Sequence, residues 1–310
     1  MTTGSVPLAS GDTPKTFMKR HPLIAYFTLA YFLAWITWIP LILSEHGLQV
    51  IRLGLSYDGV GYLAGLGTFT GPAVASLLVT AALSGRTGVI QLLSKLVRWR
   101  FGLQWNVIAL FGLLPFALLG AIIVDSSDFF ASIGVNGGVI AAYLGYALTL
   151  QLLKGPLGEE IGWRGFALPR LQQAKGPLVG TLILGILWSL WHVPVMVFIP
   201  AWRGDTPVLV YLVVYTLIIC SLSIIMTWLY NNTGGSVLVA ILLHAQNNSS
   251  KRLFSAFLPK ELIGDSSGIY LLLLLAGAIL LIIVTRGRLS YKPDVGVDEP
   301  EINASVQTAT

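Results

Sequence analysis

Apolar positions along the chain gather into runs about as long as a bilayer is thick, parted by short polar connections. Such runs fall near residues 22–43, 60–83, 105–124, 139–157, 178–199, 208–230, 236–258 and 269–285. Each reads as a membrane-crossing helix, because about 20 apolar residues rising 1.5 Å apiece cover the hydrocarbon core. The seventh run is interrupted by His244, Gln246, Asn247, Asn248, Lys251 and Arg252. A helix there carries a polar face, which suits the inside of a bundle better than lipid. Residues 89–100 set Leu92, Leu93, Leu96 and Val97 opposite Lys95 and Arg98, the pattern of a helix lying in the cytoplasmic interface. Residues 166–174 form a second amphipathic piece, with Arg170 and Lys175 on its polar side. The expected fold is all-α: a polytopic membrane bundle of about eight transmembrane helices plus cytoplasmic interfacial helices.

Composition agrees with that pattern. The 310 residues are 55% hydrophobic and 11% charged, against about a quarter charged in a soluble domain. The net charge of +5 needs no nucleic-acid partner, because basic residues bordering spans explain it. Lys15, Lys19 and Arg20, then Arg86, Lys95, Arg98 and Arg100, then Lys154, Arg164, Arg170 and Lys175, and finally Arg286, Arg288 and Lys292 fall on one side of the bilayer. That bias puts both termini in the cytosol and makes the chain a multi-pass protein of the plasma membrane. Lys251, Arg252 and Lys260 run against the bias. Residues 1–21 read as a polar cytoplasmic tail, 22–285 as one transmembrane helical domain, and 286–310 as a disordered cytoplasmic tail. No small-residue cleavage site follows a short apolar core, so the first span is expected to be retained. Cys220 stands alone in an apolar run, which excludes a disulfide framework or a thiolate metal site.

The charges that need explaining are few. Glu159, Glu160 and Arg164 lie in an apolar region with no other acidic residue between Phe129 and Arg203. Ionisable groups at membrane depth are costly and usually act on a substrate, ion or proton. Glu160 and Arg164 are spaced i, i+4 and share a helix face, so they can neutralise each other. Glu159 lies about 100° away and has no obvious local partner. Pro156 suits the first turn of that helix, and Pro169 should kink or end it.

Two of the four histidines fall inside spans, His192 and His244. Asn248 follows His244 at i+4, on the same face, and is expected to be its partner; Asn247 lies off that face. Gln246 suits a helix-packing hydrogen bond. Carboxylate and imidazole can together activate a water, and histidine or asparagine N–H groups can hold an oxyanion. Ser189, Ser221 and Ser223 are not spaced to meet either histidine, so a covalent serine mechanism fits poorly. A transporter would show internal repeats, and none relates the two halves. A non-enzymatic scaffold or immunity protein is the other alternative, and it would tolerate loss of Glu159.

These residues resemble a known family: the type II CAAX prenyl endopeptidases and their bacterial relatives, the CPBP (Abi) intramembrane proteases. The family pattern of Glu-Glu-x-x-x-Arg, aromatic-x-x-x-His and His-x-x-x-Asn reads here as Glu159-Glu160 to Arg164, Trp188 to His192, and His244 to Asn248. Trp188 stands where phenylalanine is usual, a change expected to matter little. The resemblance covers about residues 137–250. It implies hydrolysis of a peptide bond in a peptide or membrane-protein substrate within or beside the lipid bilayer. Glu159 would activate the water, His192 would help hold it, His244 and Asn248 would stabilise the oxyanion, and Glu160 and Arg164 would fix local structure. Zinc could be held by Glu159, His192 and His244 with an open position. The chain lacks the His-Glu-x-x-His spacing, however, and does not require the metal. Prenylation of the substrate and the oligomeric state are not readable from these residues.

Overall fold

The computed structural model describes residues 13–136 and 138–293. Among them every regular element is helical. The chain runs through α1 (Pro14–Arg20), α2 (Pro22–Leu43) and α3 (Tyr57–Thr68), which passes through a π-helical turn (Phe69–Ala73) into α4 (Val74–Ser94). Then come α5 (Leu103–Phe111), α6 (Leu114–Val124), α7 (Ser126–Asn136), α8 (Gly138–Ala147), α9 (Leu150–Leu153) and α10 (Pro156–Glu160). A second π-helical segment (Ile161–Ala167) leads into α11 (Leu168–Lys175). The rest is α12 (Pro177–Trp191), α13 (Val193–Phe198), α14 (Val208–Asn232), α15 (Val237–Phe257) and α16 (Ile263–Thr285).

The helical membrane bundle is as expected, but the count of spans differs. By length and apolarity five helical stretches among the described residues can cross a membrane, or six if α5 and α6, bent by 43°, make one span. Two of the eight expected runs fall short. Run 139–157 breaks between α8 and α9, where Thr149 leaves helical geometry at φ −128°, ψ −91°. Run 236–258 does fold as one helix, α15, but its row of polar side chains is fit for protein rather than lipid. That helix lies inside the bundle, packed against α5 to α10, α14 and α16. Gln246 works from α15 on the bend itself: its Nε2 donates to Ala109 O at 2.6 Å and its Oε1 accepts from Leu113 N at 3.3 Å. The backbone groups freed by the bend are thereby satisfied. Apolar side chains such as Leu272, Ile283 and Val284 of α16 stay exposed, as a lipid-facing surface requires.

The helix expected at the interface forms, though not with the expected face outward. Gly85, at φ 61° and ψ −154°, turns the chain at the end of a span, a conformation that glycine adopts without a Cβ penalty. The piece that follows buries Leu92 and Lys95 and exposes Ile90, Leu93 and Val97. Lys95 is expected on the polar side, yet it points inward. Pro169 has no N–H to give the carbonyl four residues before it, that of Gly165. Lys95 Nζ approaches that carbonyl at 3.5 Å. Pro169 does not end the helical run: the wider π turn precedes it and α11 continues to Lys175.

At the ends, residues 1–12 and 294–310 of the two expected tails lie outside the described residues. What is described of them is ordered. Thr13 caps α1 through its hydroxyl, and Leu289 is fully buried beside Ile224 and Ala278. The Leu289 carbonyl accepts from Asn231 Nδ2 at 2.8 Å. In the loop after α2, backbone N–H groups of Leu53 and Leu55 hold the half-buried Glu45 carboxyl down to about 2.

Candidate active site

The Glu-Glu stretch is seated by small residues. A Cβ on Gly158 would stand 2.7 Å from Thr68 Oγ1, and one on Gly162 would stand 2.6 Å from Pro72 O. Glycine at these two places lets the α10 end and its π segment lie directly on the other π turn. Pro156 occupies the first turn of α10, as expected from its fixed φ. Glu159, Glu160 and Arg164 are all buried.

Glu160 is fully buried and ion-paired. Arg164 Nη1 lies 2.9 Å from each of its oxygens, the i, i+4 pair that the spacing anticipates. His244 Nδ1 lies 2.9 Å from Glu160 Oε1. This corrects the expectation that Asn248 is the partner of His244: the imidazole turns across the bundle to a carboxylate. Arg164 Nη2 donates to Ser223 Oγ at 3.0 Å, and its guanidinium lies 4.4 Å from the Trp188 ring centroid. A buried charge pair is tolerable only with such supplementary partners.

Glu159 is held differently. The Trp188 indole donates Nε1–H to its Oε2 at 2.6 Å, from α12. His192 sits at the junction of α12 and α13, where its Nδ1 is 2.9 Å from Trp188 O. A carbonyl can only accept, so Nδ1 carries the proton and Nε2 keeps a lone pair. Trp191 and Tyr215 pack edge-on against this imidazole, with centroids at 4.7 and 5.2 Å. On α15, Asn247 Nδ2 donates to Asn248 Oδ1 at 3.2 Å, and Tyr270 donates its hydroxyl to Asn247 Oδ1 at 3.3 Å. The Asn248 NH₂ group has two N–H donors beside that bond.

Glu159, His192, His244 and Asn248 all line one cavity of about 740 Å³, together with Asn247, Tyr215 and Tyr270. The four residues expected to act are thus brought together, while Glu160 and Arg164 are packed behind them. Ser189, Ser221 and Ser223 bond to Thr216, Leu217 O and Arg164 respectively, so none is set against a histidine. Among the described residues no three His, Cys, Asp or Glu side chains are grouped to hold a metal ion. Both imidazoles use Nδ1 on protein acceptors and Glu159 uses Oε2, so Nε2 of each histidine and Glu159 Oε1 are the atoms that would hold a zinc ion. Sequence reasoning misses two contributors. Asn247 lies off the His244 face and is set aside on that ground, and Trp188 reads only as an aromatic, although its N–H is the signal.

Comparison with known proteins bears on the same stretch. Residues 142–250 match the family described as type II CAAX prenyl endopeptidase Rce1-like. Over 268 residues the chain is 25% identical to CAAX prenyl protease 2 of Methanococcus maripaludis, a match covering 85% of this chain and 94% of that protein. The matched family segment contains all three motifs. The resemblance read from them holds, and the chain is an integral membrane protein similar to the CAAX proteases.

Proposed function

We propose, from the premise that this chain is a membrane protease of the CAAX endopeptidase kind, that it hydrolyses a peptide bond of a membrane-associated or lipidated protein or peptide with Glu159 as general base. Glu159 takes a proton from water as the water oxygen bonds to the scissile carbonyl carbon. His192 steadies that water through the lone pair on Nε2. The carbonyl oxygen becomes an oxyanion, which accepts from the Asn248 amide and from His244. His244 donates there as the imidazolium, with Glu160 at Nδ1 as its counter-charge. Collapse breaks the C–N bond, and the proton held by Glu159 passes to the leaving amine. Glu160 and Arg164 hold His244 and the local helix and touch no substrate. No step is assigned to a metal.

The observation that supports this reading is the shared cavity, which collects base, imidazoles and amide from α10, α12 and α15. Plasma-membrane residence, cytosolic termini and a single domain over residues 22–285 belong to the same reading. The named relative is a CAAX prenyl protease, so a prenylated C-terminal peptide is the first substrate to try. The test uses the purified full chain in lipid with prenylated and unprenylated peptide libraries, with Glu159→Gln as the comparison. Cleavage by the native chain that disappears in the variant supports the hydrolase. Equal cleavage, or an unchanged cellular phenotype, returns the chain to the scaffold class.

A further inference from the structure

Trp188 touches most of the site without lining its cavity. Its indole N–H is on Glu159 Oε2 at 2.6 Å, and its ring carries the Arg164 guanidinium at 4.4 Å. The His244 ring stands edge-on to it with centroids 5.0 Å apart, and its carbonyl receives His192 Nδ1 at 2.9 Å. A phenylalanine at this position would keep the ring contacts and the carbonyl. It could not supply the N–H. Gly155 lacks a side chain where a Cβ would come 3.0 Å from Glu159 Oε1, and the Trp163 indole is a second aromatic neighbour of the carboxylate. The terminal torsion of a glutamate is soft, so a carboxylate beside that gap needs a donor to settle its plane.

We propose that Trp188 is a positioning residue whose indole N–H holds the Glu159 carboxylate by Oε2, fixing the orientation in which it meets water. This rests on the reading of Glu159 as the base. One of roughly four acceptor sites on the carboxylate is used by the indole, and the others remain for the proton it must take. The need is mutual, because a buried indole N–H also requires an acceptor. The aromatic of this motif thus does more than fill space in this chain.

The test replaces Trp188 by phenylalanine and, separately, by 3-benzothienylalanine, which keeps the indole shape with sulfur in place of N–H. Both variants should lose about 10- to 100-fold in kcat, the scale of a misplaced reacting group, with KM unchanged because no substrate contact is removed. The carboxylate stretching bands of Glu159, identified in the infrared difference against Glu159→Gln, should shift in both. A purely structural tryptophan would lose activity only in Trp188→Phe, where volume is lost, and leave the bands of the benzothienyl variant in place. Native kcat and unshifted bands in the benzothienyl variant overturn the proposal, even if Trp188→Phe fails to fold. Glu159→Gln separates the two layers. Inactive Glu159→Gln beside fully active Trp188 variants removes the positioning role alone, whereas active Glu159→Gln removes the base and the positioning role together.

Discussion

Two adjacent glutamates occupy opposite kinds of surroundings. Glu160 has an arginine across both oxygens and an imidazole on one of them, all buried behind the cavity wall. Glu159 has an indole donor on one oxygen and borders the cavity. Opposite charge and hydrogen bonds stabilise Glu160 as a structural anion, and little chemistry is left for it. Glu159 keeps the accessible lone pairs. One residue step round a helix, about 100°, is enough to part a paired carboxylate from one that borders the cavity.

The comparison breaks most visibly at Glu159. Glu159→Gln retains size and hydrogen bonding but cannot take the proton, so peptide cleavage should fall by about 10²–10⁴ with the unfolding temperature unchanged. Asn248→Ala should lose about 10²–10³ in kcat in the same assay if its NH₂ end serves the oxyanion. On the Glu160 side the effect should move from rate to stability. Arg164→Ala strands a buried carboxylate and should cost about 3–5 kcal/mol, read as a lowered unfolding temperature and poor yield in detergent. Native stability in that variant would argue against the anion-framework account of Glu160. Smaller still, Tyr270→Phe removes the donor that steadies Asn247. The loss should be only about 2- to 10-fold in kcat, as one hydrogen bond two steps from the oxyanion allows. A strong chelator should change nothing, and activity lost to it and restored by zinc would contradict the metal-free reading.

Much of this is legible in the amino-acid sequence. Residues 22–43 and 208–230 announce spans by length and apolarity alone, and the observed helices end within two residues of them. Glu160–Arg164 follows from i, i+4 spacing. Three motifs nominate Glu159, His192, His244 and Asn248. Less legible are the features that depend on a partner from elsewhere. Lys95 reads as an outward lysine, yet it is buried with its Nζ 3.5 Å from the carbonyl of Gly165 on another element. Run 236–258 has the right length for a span but the wrong surface for lipid.

The division has a simple physical origin. Covalent geometry and the 3.6-residue turn determine which side chains of one helix share a face, and bilayer thickness determines how long an apolar run must be. The sequence by itself therefore determined the all-α class, the Glu160–Arg164 pair and the polar face of α15. It could not determine how α10, α12 and α15 are rotated and shifted against one another. That was decided by close approach at Gly158 and Gly162, by the two π turns and by the broken neighbours of α15. From that packing came the choice of Glu160 over Asn248 for His244, and of the Trp188 indole for Glu159. A hydrogen bond between helices needs donor and acceptor within about 3 Å, a precision that no one-dimensional spacing carries.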